Sequence, residues 1–403
     1  SDTALLDKTY IKAIITSSGG KTSHSAILAR SLGIPAVVGI GSLYLLQTGH
    51  LVIVDGTSGK IIIEPTSHEV VEYEEKLAQY MAKQNMWETL KLKPGRTKDG
   101  IEIKLAANIG SSSDLNQVLE YHAEAIGLYR TEFLYMRSRV MPSESTQEAQ
   151  YKEVLEQMAG KDVVIRTLDI GGDKQLPYLP QAHEENPFLG HRALRLSLSE
   201  ITLFKTQIRA LLKANTNGNL HIMLPMVSTL EELRKAKRII NDTKEELMNE
   251  GYPIKPYKIG IMIEVPSAAL SARSLAKEAD FFSIGTNDLI QYLFAADRMN
   301  QSVSYLYQPY HPVVLQTIKY VIEAAHEAGI WVGVCGEMGS HAKTALLLAG
   351  LGIDELSMTA TSIPEVKWYL SMFTKDQLKE FAVHALSLET NDEVHDFITS
   401  VMK

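Results

Sequence analysis

After Gly100 the chain alternates short apolar runs with longer stretches whose apolar positions recur every three or four residues. The short runs lie at 101–107, 125–128, 163–168, 221–224, 259–263, 281–284, 331–334 and 355–358. Their length and β-branched content predict buried strands. The stretches between them, at 115–121, 146–158, 201–214, 230–248, 268–277, 313–327, 343–348 and 364–373, predict helices. Strand and helix alternating eight times over about 300 residues predicts an α/β protein with a (β/α)8 TIM barrel. An open doubly wound sheet is the alternative. No Gly-x-Gly-x-x-Gly follows the first strand, which weakens it.

Before Gly100 the pattern is different. A short apolar segment, Ala13-Ile14-Ile15, runs through Gly19-Gly20 into a helical pattern with Ile27, Leu28 and Leu32 on one face. Gly33 and Pro35 stop that helix. Residues 36–38 read as a short strand, and 51–54 with 60–63 as a hairpin turning at Asp55-Gly56. Thr66 and Glu69 form a capping box for a polar helix from Ser67 to about Leu90, which Lys93-Pro94-Gly95 closes. Three divisions are expected: a partial mixed α/β domain at 1–65, a helical connector at 66–95 and the barrel at 96–403. The connector's ends are candidate hinges; a helix packed rigidly on the barrel is the alternative. Ser1-Asp2-Thr3-Ala4 leads at once into a strand-like run without an initiator Met, as expected of a chain cut inside a domain.

Composition narrows the class. Over 403 residues, 45% are hydrophobic and 22% charged, which describes a globular protein with a sizeable core. Forty basic against 48 acidic side chains give a net charge of −8, which argues against nucleic acid or an acidic membrane as the main partner. Cys335 is the only cysteine, so no internal disulfide forms, and a reducing cytoplasm is expected. No apolar run has the length of a membrane span.

Candidate chemistry gathers in two places. His24 opens the first helix after two glycines, with Lys21, Thr22, Ser23 and Ser25 around it. A helix N-terminus favours an anion, so a phosphoryl group on His24 sits in a prepared site. The bland reading is an exposed or capping histidine. In a (β/α)8 barrel the active site lies at the C-terminal strand ends. There the sequence puts Arg130, Arg166, Arg298, Glu264, Asn287, Asp288 and Cys335, with Lys174 and Arg192 nearby. Arginine forks suit phosphate and carboxylate. Paired carboxylates, Glu264 and Asp288, suit Mg²⁺ completed by substrate oxygens. The bland readings are rim salt bridges and, for Cys335, a small buried apolar side chain.

The stretches 20–30, 128–136, 165–177, 185–195, 285–297 and 334–339 together resemble Enzyme I of the phosphoenolpyruvate–sugar phosphotransferase system, the likeness covering 11–373. The resemblance implies that the first domain is a swivelling phosphohistidine domain and that His24 takes a phosphoryl group on Nε2. Arg130, Arg166 and Arg298 would bind phosphoenolpyruvate, with Asn287 adding a hydrogen bond. Glu264 and Asp288 would hold Mg²⁺. Cys335 would protonate the enolate carbon to give pyruvate. It further implies a homodimer through the barrel and onward transfer to a histidine phosphocarrier protein during sugar uptake. The family's carrier-docking helical domain has no counterpart here, so onward transfer is expected only of the full-length protein. His191 stands where the family more often has an aromatic residue. Two other readings are a dikinase or synthase coupling phosphoenolpyruvate to ATP, and a fragment that binds phosphoenolpyruvate without turnover. Residues 169–177 are closer to Enzyme I, and no ATP-grasp domain is present in the sequence.

Overall fold

The computed structural model describes the whole chain except residues 1–9, 19–24, 27–28, 30–33, 173, 175, 180–182 and 403, and gives residues 84 and 88 without side chains. Two compact units divide between Met86 and Trp87. None of the described helices is long and apolar enough to cross a membrane.

The first unit pairs β1 (Ile14–Ile15) in parallel with β2 (Ala36–Val37). The predicted hairpin forms between β3 (Val52–Asp55) and β4 (Lys60–Ile63), with Asp55 opposite Lys60. Asp55 Oδ1 accepts the Thr57 and Ser58 N–H groups and closes the turn. The capping box is present: Thr66 N–H donates to Glu69 Oε2 at 2.8 Å and Glu69 N–H to Thr66 Oγ1 at 3.3 Å. The helix it starts, α1, runs Ser67–Leu90. His24 and most of its predicted helix lie outside the described residues; Ala26 and Ala29, which are helical, are buried.

The second unit is the predicted barrel. Its strands are β5 (Lys104–Ile109), β6 (Ala125–Arg130), β7 (Val163–Arg166), β8 (Leu220–Leu224), β9 (Lys258–Ile263), β10 (Phe281–Ile284), β11 (Trp331–Val334) and β12 (Glu355–Met358). They pair in sequence order, all parallel, and β12 closes on β5. Alternation sends one set of side chains outward to a large apolar core under the helices. The other set forms a separate cluster of Leu128, Val164, Met223, Met262, Phe281 and Cys335.

Several details depart from the reading of the pattern: the first barrel strand starts at Lys104, not at 101, and unexpected short helices form at Glu132–Arg137, Leu194–Ser199 and Thr286–Leu293. The expected helix at 268–277 is two short ones, Pro266–Leu270 and Ala272–Leu275. Beyond the eighth strand–helix pair come two more helices, Lys375–Ser387 and Asn391–Val401, each opened by a threonine capping box. The turn after α1 is tied to the barrel: Gly95 N–H donates to Glu124 Oε1 at 2.6 Å and Lys367 Nζ to the Lys91 carbonyl at 3.1 Å.

Candidate active site

Each expected barrel residue stands at a C-terminal strand end or just beyond. Arg130 and Arg166 are the last residues of β6 and β7. Glu264 follows β9, and Cys335 follows β11. Asn287 and Asp288 lie in the first turn of the helix Thr286–Leu293, after β10, and Arg298 follows that helix. Parallel strands all point their carboxyl ends to one mouth, so residues far apart in sequence meet there.

The charges form one alternating chain. Lys174 Nζ lies 2.9 Å from Glu132 Oε1, and Arg166 Nη2 lies 2.7 Å from the same oxygen. That Nη2 also lies 3.0 Å from Asp169 Oδ2. Arg192 Nη2 bridges Asp169 Oδ1 at 3.0 Å and Asp288 Oδ2 at 3.1 Å. Arg298 Nη2 ends the chain 3.6 Å from Asp288 Oδ1. Burial opposes charge on Asp169, but Arg166, Lys174 and Arg192 hold it well below the usual carboxylate range. Glu132, also buried, is lowered by Arg166 and Lys174.

Three groups keep unused capacity. Arg130 makes no hydrogen bond or ion pair with the described residues; burial lowers its pKa, opposed by the charge of Glu132, with Arg166 adding to the lowering. Asp288 Oδ1 has no hydrogen-bond partner among them. Glu264 is 2% exposed, and burial pushes its carboxyl up to about 8, helped by Asp288 and Asp169. Its Oε1 accepts the Met226 N–H at 2.7 Å. A Cβ at Gly285 would lie 2.9 Å from Glu264 Oε2, so the glycine leaves this carboxylate its room.

A crowded, under-compensated carboxyl, Glu264, and an arginine without an ion pair among the described residues at one mouth describe a site short of both a cation and an anion. No three His, Cys, Asp or Glu among the described residues are grouped to hold a metal by themselves. Two carboxylates fit a hard divalent ion that takes its remaining oxygens from substrate and water.

Cys335 is 3% exposed; its Sγ lies 3.8 Å from the Ile284 carbonyl, and burial pushes the thiol up to about 11. Asn287 Oδ1 accepts from Glu337 N–H at 3.0 Å and from the Tyr307 hydroxyl at 3.3 Å. His191 is exposed, with Nε2 2.7 Å from Ser199 Oγ. Sequence reasoning gave Glu132 and Tyr307 no role. Glu132 stands two residues after Arg130 in an otherwise suspect motif, which is a signal of sorts; nothing in the sequence marks Tyr307.

The family described as PEP-utilising enzyme, PEP-binding domain, matches residues 84–374, and the PEP-utilising enzyme mobile domain matches 1–59. The phosphoenolpyruvate-protein phosphotransferase of Bacillus subtilis (strain 168) is 52% identical over 405 residues, covering all of this chain and 71% of that protein. The protein of the same name from Enterococcus faecalis is 52% identical over 408 residues, again covering 100% and 71%. A solved structure titled a citrate lyase, from Burkholderia xenovorans LB400, aligns with TM-score 0.44 and 14% identity over 78% of this chain and 94% of that one. The chain therefore belongs to the PEP-utilising enzymes, and within them to the phosphoenolpyruvate-protein phosphotransferase family.

Proposed function

We propose that this chain binds phosphoenolpyruvate with Mg²⁺ at the C-terminal mouth of its barrel and moves the phosphoryl group to His24. The observation that carries the reading is unused charge at one mouth: Arg130 has no hydrogen bond or ion pair among the described residues, and Glu264, crowded by Asp288 and Asp169, has its carboxyl pushed up to about 8. Phosphoenolpyruvate supplies the missing anion, and Mg²⁺ the missing cation.

Glu264 and Asp288 would hold the ion, which supplies charge neutralisation to the phosphate when bound. Arg130 and Arg298 take the phosphate and carboxylate oxygens, and Arg166 offers them its remaining N–H groups. Fixed donors of this kind need no reorganisation when charge develops. The neutral Nε2 of His24 attacks phosphorus; a N–P bond forms and the enol C–O–P bridge breaks at phosphorus. The enolate left behind takes the Cys335 thiol proton on its terminal carbon and becomes pyruvate, and the thiolate regains a proton from water. A thiol whose pKa is held near 11 stays protonated at neutral pH, as a donor must.

Onward transfer goes to a histidine phosphocarrier protein through the full-length protein, with the barrel as the dimerising part and cytoplasm as the compartment. The swing of the His24 domain is placed in the connector, around Pro65 and Pro94-Gly95. The test is incubation with Mg²⁺ and phosphate-labelled phosphoenolpyruvate, followed by peptide mapping. An acid-labile, base-stable label on His24, lost in His24→Ala, is expected. Bound phosphoenolpyruvate with no label on His24 would overturn the transfer step.

A further inference from the structure

We infer that Tyr307 is a positioning residue for Asn287, holding that amide with its NH₂ end toward the substrate. The inference rests on the site reading above and adds a residue to it. Tyr307 follows the single turn Ser304–Leu306 on the segment after Arg298 and packs its ring against the main core. Its hydroxyl lies 3.3 Å from Asn287 Oδ1, and the Glu337 N–H lies 3.0 Å from the same atom.

A backbone N–H can only donate, so the atom it meets must be the amide oxygen. With two groups directed at the oxygen, the Asn287 NH₂ is the end left over, and it has no partner among the described residues. The amide therefore offers donors, and an anionic substrate wants donors. Burial raises the Tyr307 phenol's pKa, so it remains a donor across the working range.

The same contact joins three segments of the mouth. Asn287 opens the helix after β10, Tyr307 belongs to the segment beyond Arg298, and Glu337 lies two residues past Cys335. Packing leaves this junction little slack: a Cβ at Gly336 would fall 2.0 Å from Thr286 Oγ1. The group that meets the substrate anion and the turn that carries the proton donor thus share one anchor.

Titrating phosphoenolpyruvate with Mg²⁺ into the parent, Tyr307→Phe, Asn287→Ala and the double variant tests this. Tyr307→Phe keeps the ring and removes only the hydroxyl. Expected is about fivefold weaker binding for Tyr307→Phe, about tenfold for Asn287→Ala, and a double variant within about twofold of Asn287→Ala. Parent-like binding by Tyr307→Phe, or two losses that multiply in the double variant, would overturn the inference while leaving the site reading intact. A parent that does not bind phosphoenolpyruvate would overturn both. A merely structural role for the hydroxyl predicts the multiplied loss.

Discussion

At the C-terminal mouth of the barrel, Lys174, Glu132, Arg166, Asp169, Arg192, Asp288 and Arg298 run as an alternating chain, and counter-charges keep Asp169 and Glu132 ionised against burial. At the N-terminal mouth the balance goes the other way. Lys104, Asp162, His221 and Glu355 gather beside a stacked pair, Phe281 and Trp331, whose rings are 4.6 Å apart. There burial pushes the Glu355 carboxyl up to about 7, against Lys104, and pushes the His221 imidazole down to about 4. The two ends thus treat these buried acids differently: Asp169 and Glu132 stay ionised at the first, whereas Glu355 is neutralised at the second. Counter-charge within hydrogen-bond distance outweighs desolvation for Asp169 and Glu132; Glu355, like Glu264, has too little of it, and desolvation wins. Charge held in place at the open end is what a charged ligand needs, and a neutral base suits a seal.

The sharpest way to break this contrast is Arg130→Ala. Phosphoryl transfer should fall by about a thousandfold, the scale of losing one fixed donor to a developing charge. Arg130 carries no ion pair among the described residues, so urea unfolding should change little. A large stability loss would make it a structural arginine. Arg166→Met tests the other half of the mouth. It removes one cation from each of Glu132 and Asp169, leaving Lys174 on the first and Arg192 on the second, so about 2–3 kcal/mol of stability should be lost in the same assay, along with substrate binding. Stability unchanged by this variant would mean the alternating chain does not hold the mouth together.

At the base the readout is pH. Folded Glu355 keeps its proton to about pH 7, whereas its ordinary value is 4.5. Between those values the native state binds more protons than the unfolded one. Stability from this group is present below pH 4.5, falls as pH rises, and levels off above about 7, a loss of about 3 kcal/mol. Glu355→Gln should remove that slope from a stability–pH curve without affecting transfer at pH 7; an unchanged slope would contradict a buried, neutralised carboxyl. The smallest effect is expected from Asp162→Asn. Its pair with Lys104 is 2.7 Å long, but both side chains are over a third exposed. Stability should move by less than about 1 kcal/mol and transfer by less than about twofold. A large drop in transfer would mean the base takes part in the chemistry.

The strands at 281–284, 331–334 and 355–358 were readable to the residue, because a buried parallel strand is a short apolar run between helix signals. The last two helices were not read, although Thr374 with Gln377 and Thr390 with Glu393 stand in the sequence as capping boxes. Arg130, Arg166, Glu264, Asp288, Arg298 and Cys335 stood out because the barrel topology says where chemistry gathers. Glu132 and Asp169 did not, since an acid beside a basic motif looks like any solvated charge until its partners are placed.

What the sequence determined by itself is what depends on neighbours along the chain: the alternation that makes a barrel, the caps, the hairpin turn, and the charged residues at the strand ends. What only the tertiary structure decided depends on partners distant in sequence. Arg166 is shared between Glu132 and Asp169, whereas Arg130 is left without either. Asn287 is oriented by Tyr307 and Glu337, 20 and 50 residues away. Glu355 is neutralised inside the barrel while Asp169 stays ionised at its mouth. The physical reason is that propensity and periodicity are local, whereas the charge a buried group carries is set by desolvation and by counter-charges that only the closed barrel brings within reach.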